Sequence, residues 1–414
     1  MLFRAGFRFW NLNFIFSIPK NMNSDNSNHA ILLCILLGLG SVLGLSGIDL
    51  VLPSVPALPE ILGGDQTRSQ FVIASFIGGT AFGMLFSGYV SGKVRTSSLL
   101  FSSLTLYALL SFLCTFAESL DALIVLRFFQ GLCSSAPAVL APGIVKNLFD
   151  EKGATRALGM LGSVESLVPA LAPILGVWLL TFGTWKYSFF LTAFFSLLLA
   201  FAFLFFRIES PKIASSNGDR GSYFALLRSP VFQRYSLSQA LNLGGLLVFV
   251  FGAPVVMVKS MNSDISKFAQ MQTIGVAFFI TGAISSSFLN RKFEPESLVT
   301  TGTVLSLTSS ILLFLYSIFG NNDPNWILAI FPLMNLGLGL RGPTGFLKGI
   351  LASNGDDNRA SSLILLSIIS VSSLGTAFIA PFLHFGLFSL SLFVVFLHAA
   401  ACLSLFFLPK LPSD

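Results

Sequence analysis

"LIVLRFFQGLCSSAPAVLAPGIVKNLF", residues 123–149, is an apolar run that encloses one arginine, Arg127, and closes on Lys146. A helix rises about 1.5 Å per residue, and roughly 20 apolar residues cross the hydrocarbon of a bilayer. The run is therefore long enough to span a membrane, with a charge left inside it. Its neighbours repeat the pattern. About twelve apolar segments follow one another, near 30–57, 69–91, 97–116, 121–147, 155–181, 185–207, 232–258, 266–290, 297–319, 325–350, 360–382 and 385–408. Backbone groups in lipid must pair within their own segment, so each reads as a helix.

Composition agrees. Of the 414 residues, 54% are hydrophobic and only 10% are charged. Mean hydropathy is +0.82. A soluble chain of this size carries about a quarter of its residues charged, so a water-soluble globule is excluded. The net charge of +6 comes from Lys and Arg in short loops, which points to membrane topology and not to nucleic acid. With the N-terminus placed in the cytoplasm, 18 Lys and Arg fall inside and 4 outside (Arg68, Lys186, Lys259 and Lys267). The positive-inside rule then puts both termini in the cytoplasm. Cys34, Cys114, Cys133 and Cys402 lie in apolar runs without CxxC spacing and read as packing residues.

The expected architecture is an all-α membrane protein with twelve transmembrane helices in two pseudo-symmetric halves. Residues 1–29 form a cytoplasmic tail, 30–207 the first six helices, 208–231 a linker, 232–408 the second six and 409–414 a cytoplasmic end. The linker is polar and basic, and Tyr223, Phe224, Leu226 and Leu227 suggest a short amphipathic helix on the membrane surface. Residues 1–21 are aromatic and basic but too short in apolar run to span, and translation is expected to begin at Met22. The halves look related. "GIVKNLFDEKGATRALG" from Gly143 and "GFLKGILASNGDDNRASSL" from Gly345 share Gly-x-x-Lys, an acidic turn and Arg-Ala. Pro53 of the first helix has a counterpart in Pro254 of the seventh. Such repeats suit a central binding site between the halves.

Four charges remain within the spans: Asp49, Arg127, Glu165 and Arg341. Each costs about 2.5–3.5 kcal/mol at a helix centre, so each is a candidate for pairing or use. Counting along the helices puts Asp49 and Arg127 in the outer part of the membrane, where a pair between them is feasible. Glu165 falls near the midplane and Arg341 nearer the cytoplasm, as a further cavity candidate. His384 and His398 fall at the ends of different helices, and no HExxH or nucleophile elbow occurs.

The 123–149 run resembles the fourth-helix motif of drug/proton antiporters of the major facilitator superfamily, a motif that also offers Gln130 as a candidate site residue. "LVPALAPILGVWL" from Leu167 resembles the fifth-helix antiporter motif. "IDLVLPSVPALPEI" from Ile48 and "GTWKYSFFLTAF" from Gly183 are similar to segments of the bicyclomycin/chloramphenicol-resistance (Bcr/CflA) family. The resemblance implies Pro169, Pro173 and Gly176 as a bendable, close-packing gate element. It also implies Gly88, Lys93 and Arg95 of "GYVSGKVRTSS" as the loop motif after the second helix. The aspartate of that motif is absent, its place taken by Gly92.

The expected function is proton-coupled export of small amphipathic molecules or drugs by alternating access in a bacterial inner membrane. The alternatives are a dedicated exporter of one metabolite, such as a siderophore or amino-acid derivative, and more remotely an intramembrane enzyme or sensor. No GxxxxGK[ST] stretch occurs, so the proton gradient is the expected drive and no cofactor is expected. The expected partners are a small-molecule substrate and the lipid bilayer, with no nucleic acid, and the chain is expected to act as a monomer. Asp49, Arg127, Glu165 and Gln130 are the candidates for proton coupling or substrate binding.

Overall fold

The computed structural model describes residues 24–64, 66–204, 222–263 and 265–412. Residues 1–23, with the expected start at Met22, and most of the linker lie outside the described residues.

The first half runs α1 (Ser24–Asp49), α2 (Gln66–Val90), α3 (Thr96–Cys114), α4 (Leu120–Ser134), α5 (Ala136–Leu148), α6 (Glu151–Glu165), α7 (Val168–Leu180) and α8 (Lys186–Leu204). A short helix, α9 (Tyr223–Arg228), precedes the second half. That half runs α10 (Pro230–Val255), α11 (Ile265–Leu289), α12 (Pro295–Phe319), α13 (Pro324–Leu351), α14 (Asp357–Ile379) and α15 (Leu387–Phe407). Joining α4 to α5 and α6 to α7 gives twelve spans, six in each half. Ten are long and apolar enough to cross a membrane by length and composition alone. The fifth and the tenth are the two that do not meet that measure, the fifth leaving only a shorter apolar helix, Leu171–Leu180.

Two spans expected as single helices are interrupted. The fourth breaks at Ser135 and the fifth at Ser166–Leu167. In each, a proline follows in the first turn of the new helix, Pro137 in α5 and Pro169 in α7. Proline is tolerated there because its missing N–H has no helical partner to lose. Apolar residues flank both breaks, and the polar residues at them, Ser134–Ser135 and Glu165–Ser166, are too few to read as loops. Pro169 therefore starts a helix instead of bending one, and Pro173 is the proline inside α7.

Helix ends outside the spans are capped as their sequences suggest. Ser119 accepts from the Ala122 N–H and Asp150 from the Gly153 N–H. Inside the halves, glycines let helices approach closely. A Cβ on Gly79 of α2 would stand 1.9 Å from the Phe128 carbonyl of α4, and one on Gly131 2.1 Å from the Phe76 carbonyl. Gly302 of α12 and Gly337 of α13 face each other in the same way, each Cβ falling 2.5 Å from the other's carbonyl. These are small-residue crossings, as packing between helices in lipid favours.

Candidate functional site

Span one breaks where its aspartate stands. Pro53 has no N–H to donate, and after Asp49 the chain passes into a 3-10 turn, Leu52–Ala57. The end of a helix leaves carbonyls without helical partners. Neighbouring spans take them. Arg127 of α4 donates through Nη2 to the Gly47 carbonyl at 2.8 Å. The Ser188 hydroxyl of α8 donates to the Leu50 carbonyl at 3.2 Å. Gly176 of α7 packs on the same spot, its Cβ position 2.5 Å from the Leu50 carbonyl and 3.2 Å from Pro53 Cγ.

Arg127 is 0% exposed and its donors are committed. Nε donates to the Val72 carbonyl at 3.1 Å and Nη1 to Gln130 Oε1 at 2.7 Å. Gln130 donates in turn to Ser111 Oγ at 2.6 Å, Ser111 to the Tyr107 carbonyl, and the Tyr107 hydroxyl to the Leu43 carbonyl. The Phe76 ring lies 4.1 Å from the guanidinium carbon. The feasible pair with Asp49 does not form. Successive helix residues turn by about 100°, so Asp49 points roughly 200° away from the Gly47 face that Arg127 touches. Arg127 and Gln130 are thus positioned as ties between spans one, two, three and four.

Asp49 faces elsewhere. It shares a stripe of α1 with Leu45, which is 41% exposed, and Leu52 of the turn that follows is 45% exposed. The same stripe, followed back towards the helix start, is closed. A Cβ on Gly38 would touch Leu161 of α6, and Ile31 and Cys34 are buried in a cluster with Ala154, Ala157 and Leu347. Leu347 belongs to the second half. The stripe therefore lines an interface that is shut at the basic-loop end and parts before Asp49. Glu165 ends α6 on the adjoining wall, beside Ser41 of α1. Lower on α6, Gly159 meets Pro343 and Gly162 meets Phe279, both of the second half. Among the described residues no cation pairs with Asp49 or Glu165.

The shut end is tied by pairs that sequence reasoning did not single out. Lys146 of α5 bonds Asp357 of α14 at 2.8 Å, and Lys348 of α13 meets Glu151 of α6 at 3.0 Å. Each Gly-x-x-Lys lysine thus reaches the acidic turn of the other repeat. Tyr223 of α9 donates to the Leu85 carbonyl of α2 at 2.6 Å, and Ser362 of α14 donates to the Met84 carbonyl at 2.7 Å. Burial pushes the Tyr223 phenol above its ordinary range, so it stays a donor. Gly88 makes this approach feasible, since a Cβ there would stand 2.5 Å from the Tyr223 hydroxyl. Lys93 and Arg95 take no part in these ties. Lys93 folds back on the Tyr89 ring at 3.8 Å, and exposed Arg95 precedes α3 as its N-cap residue. The expected amphipathic segment is α9, with Leu226 buried and Phe224 and Leu227 exposed.

Arg341 is not brought near Asp49 or Glu165. It is 0% exposed within the second half and donates to Ser238, to the carbonyl at 2.6 Å and to Oγ at 3.0 Å. His398 is not at a helix end. It sits mid-way along α15, fully buried, while His384 lies in the turn after α14.

Two six-helix halves around a cleft with charged walls define a class, that of membrane transporters built from paired repeats. The Major Facilitator Superfamily model matches residues 37–347, and the chain belongs to that family. It is similar to multidrug resistance protein MdtL of Escherichia coli O17:K52:H18 (strain UMN026 / ExPEC), 25% identical over 270 residues that cover 65% of this chain and 69% of MdtL. MdtL of Shigella dysenteriae serotype 1 is 24% identical over 272 residues, with 65% and 69% covered. Among solved structures, it is similar in fold to the MFS transporter FucP in the outward conformation, with TM-score 0.72, 16% identity, and 92% and 100% of the two chains covered. The proton:xylose symporter XylE aligns with TM-score 0.76 and 14% identity over 93% and 97%. The protein is a multi-pass membrane transporter of this fold.

Proposed function

We propose that the protein is a proton-coupled exporter of small amphipathic molecules or drugs, working by alternating access with both termini in the cytoplasm of a bacterial cell. The observation that carries this reading is the pair of carboxylates on the cleft wall, Asp49 and Glu165, with no cation on either among the described residues. A carboxylate kept in a membrane protein at such cost, and left open to a cleft, suits binding and release of a proton or a cationic substrate. Asp49 stands at the last residue of α1, where the helix dipole offers its charge no support. The likeness to multidrug resistance proteins supports export of drugs. With the basic loops on the cytoplasmic side, the cleft faces outward.

The test is substrate efflux from proteoliposomes, with and without an imposed pH gradient. Asp49→Asn keeps size and removes the titratable charge, so folding and binding should persist while gradient-driven flux falls at least about tenfold. Combining Asp49→Asn with Glu165→Gln should abolish the response to the gradient. A double variant that still accelerates when the gradient is applied removes both carboxylates from the coupling mechanism.

A further inference from the structure

The second half contains a polar layer that the transport reading does not use. It lies where α10, α12, α13 and α15 meet. Of the ten buried side-chain atoms that find no hydrogen-bond partner among the described residues, five are not hydroxyls. Four of those five belong to this layer: Gln239 Oε1, Asn242 Nδ2, Arg341 Nε and His398 Nδ1. The residues are neighbours by contact. His398 Nε2 lies 3.1 Å from the Asn242 carbonyl, and Ser306 bonds Asn242 Oδ1 at 3.3 Å. One position, the Cβ site of Gly345, is 3.1 Å from Arg341 Nη2 and 3.4 Å from Gln239 Oε1. Arg341 also holds Ser238, in the same stretch of α10.

The chemistry of the four atoms is balanced. The Asn242 carbonyl only accepts, so His398 donates through Nε2–H, and its neutral ring presents Nδ1 as an acceptor. Gln239 Oε1 is a second acceptor. Arg341 Nε–H and Asn242 Nδ2 are donors. A metal ion would face a guanidinium, and an anion would face two lone pairs. Water has two hydrogens and two lone pairs and answers both kinds of group. Buried waters occur in polar sites of this sort, each with about three hydrogen bonds. Leaving such groups unmet in a low-dielectric interior is costly, so a partner is expected.

We propose that this layer is a closed internal water site that hydrates Arg341 and links it to His398, sealed from the transport cleft. Gln239, Asn242, Arg341 and His398 are its ligands.

Radiolytic footprinting of the full chain in nanodiscs, with oxygen-18 water mixed in just before the X-ray pulse, tests it. His398 is 0% exposed, yet it should be oxidised, at least about tenfold faster than its burial alone allows. The label should carry mostly oxygen-16, the mark of water that exchanges slowly. Phe249 and Phe331, equally buried in the apolar core of the same half, should stay unmodified. An unmodified His398 overturns the proposal. So does a label that follows bulk oxygen-18, which means an open channel. The label should also be unchanged when gluconate replaces chloride. A label that appears only without chloride means an anion occupies the layer, and the water site is then wrong.

Discussion

At the scale of single residues, one buried guanidinium, that of Arg127, ties the broken end of span one to spans two and four. Asp49, Arg127, Glu165 and Arg341 stand out because they interrupt apolar runs. What Arg127 bonds to is backbone and amide: the Gly47 and Val72 carbonyls and Gln130. Carbonyls are the same at every residue, so no side-chain pattern reports which one a helix break has freed. Arg127→Ala leaves two buried acceptors, the Gly47 carbonyl and Gln130 Oε1, without the donor they use, each worth about 1–3 kcal/mol, while the Val72 carbonyl keeps the Ser75 hydroxyl. The variant should lose stability as well as flux, seen as a clear fall in thermal midpoint in detergent. Arg127→Lys should recover little of it, because an ammonium lacks the planar fork that reaches three acceptors at once. A lysine variant with unchanged midpoint would show that the ties do not hold the break.

At the scale of elements, the boundaries of most spans were legible because hydropathy changes sharply at the loops. The expected span at 297–319 is α12, Pro295–Phe319, and the one at 325–350 is α13, Pro324–Leu351. The interruptions at Ser135 and Ser166 were not legible, since the prolines that accompany them lie two and three residues beyond the break. Close crossings were half legible: a glycine is visible, but which backbone it meets is not. Gly131 and Gly78 make the contrast. A side chain on Gly131 runs into the Phe76 carbonyl, whereas one on Gly78 meets nothing within 4 Å. Gly131→Val should part α2 from α4 and destabilise by about 1–3 kcal/mol or more. Gly78→Val should be nearly neutral. Thermal unfolding of the two variants side by side checks both.

At the scale of the whole molecule, the repeats at Gly143 and Gly345 announced two related halves, and the halves meet through those same segments. That the lysine of each repeat would cross to the acidic turn of the other could not be read locally, because the partners are far apart in sequence. The crossed pairs Lys146–Asp357 and Lys348–Glu151, with Tyr223 and Ser362, hold one end shut. Asp357→Asn with Tyr223→Phe should weaken that end without touching the cleft. A loss of about 1.4 kcal/mol moves the balance of open and shut forms tenfold. Spin-label distances across both ends should then show the shut end opening and the open end narrowing. Unchanged distances would place the closing force elsewhere.

The docking of α9 has a consequence for assembly. Tyr223 precedes the second half in the chain but bonds a carbonyl of the first, and Leu226 of the same helix is buried with Phe232 and Ile364 of the second. A chain severed ahead of Ser222 would leave this clasp on the downstream fragment. Coexpressed as two polypeptides, the fragments carry matched ends, and the downstream one can recognise its mate without a covalent tether. Cutting after Arg228 instead would move the clasp to the upstream fragment, and the contact across the cut would then be Leu226 against Phe232 and Ile364 instead of Tyr223 against the Leu85 carbonyl. Recovery of transport should follow the position of the cut.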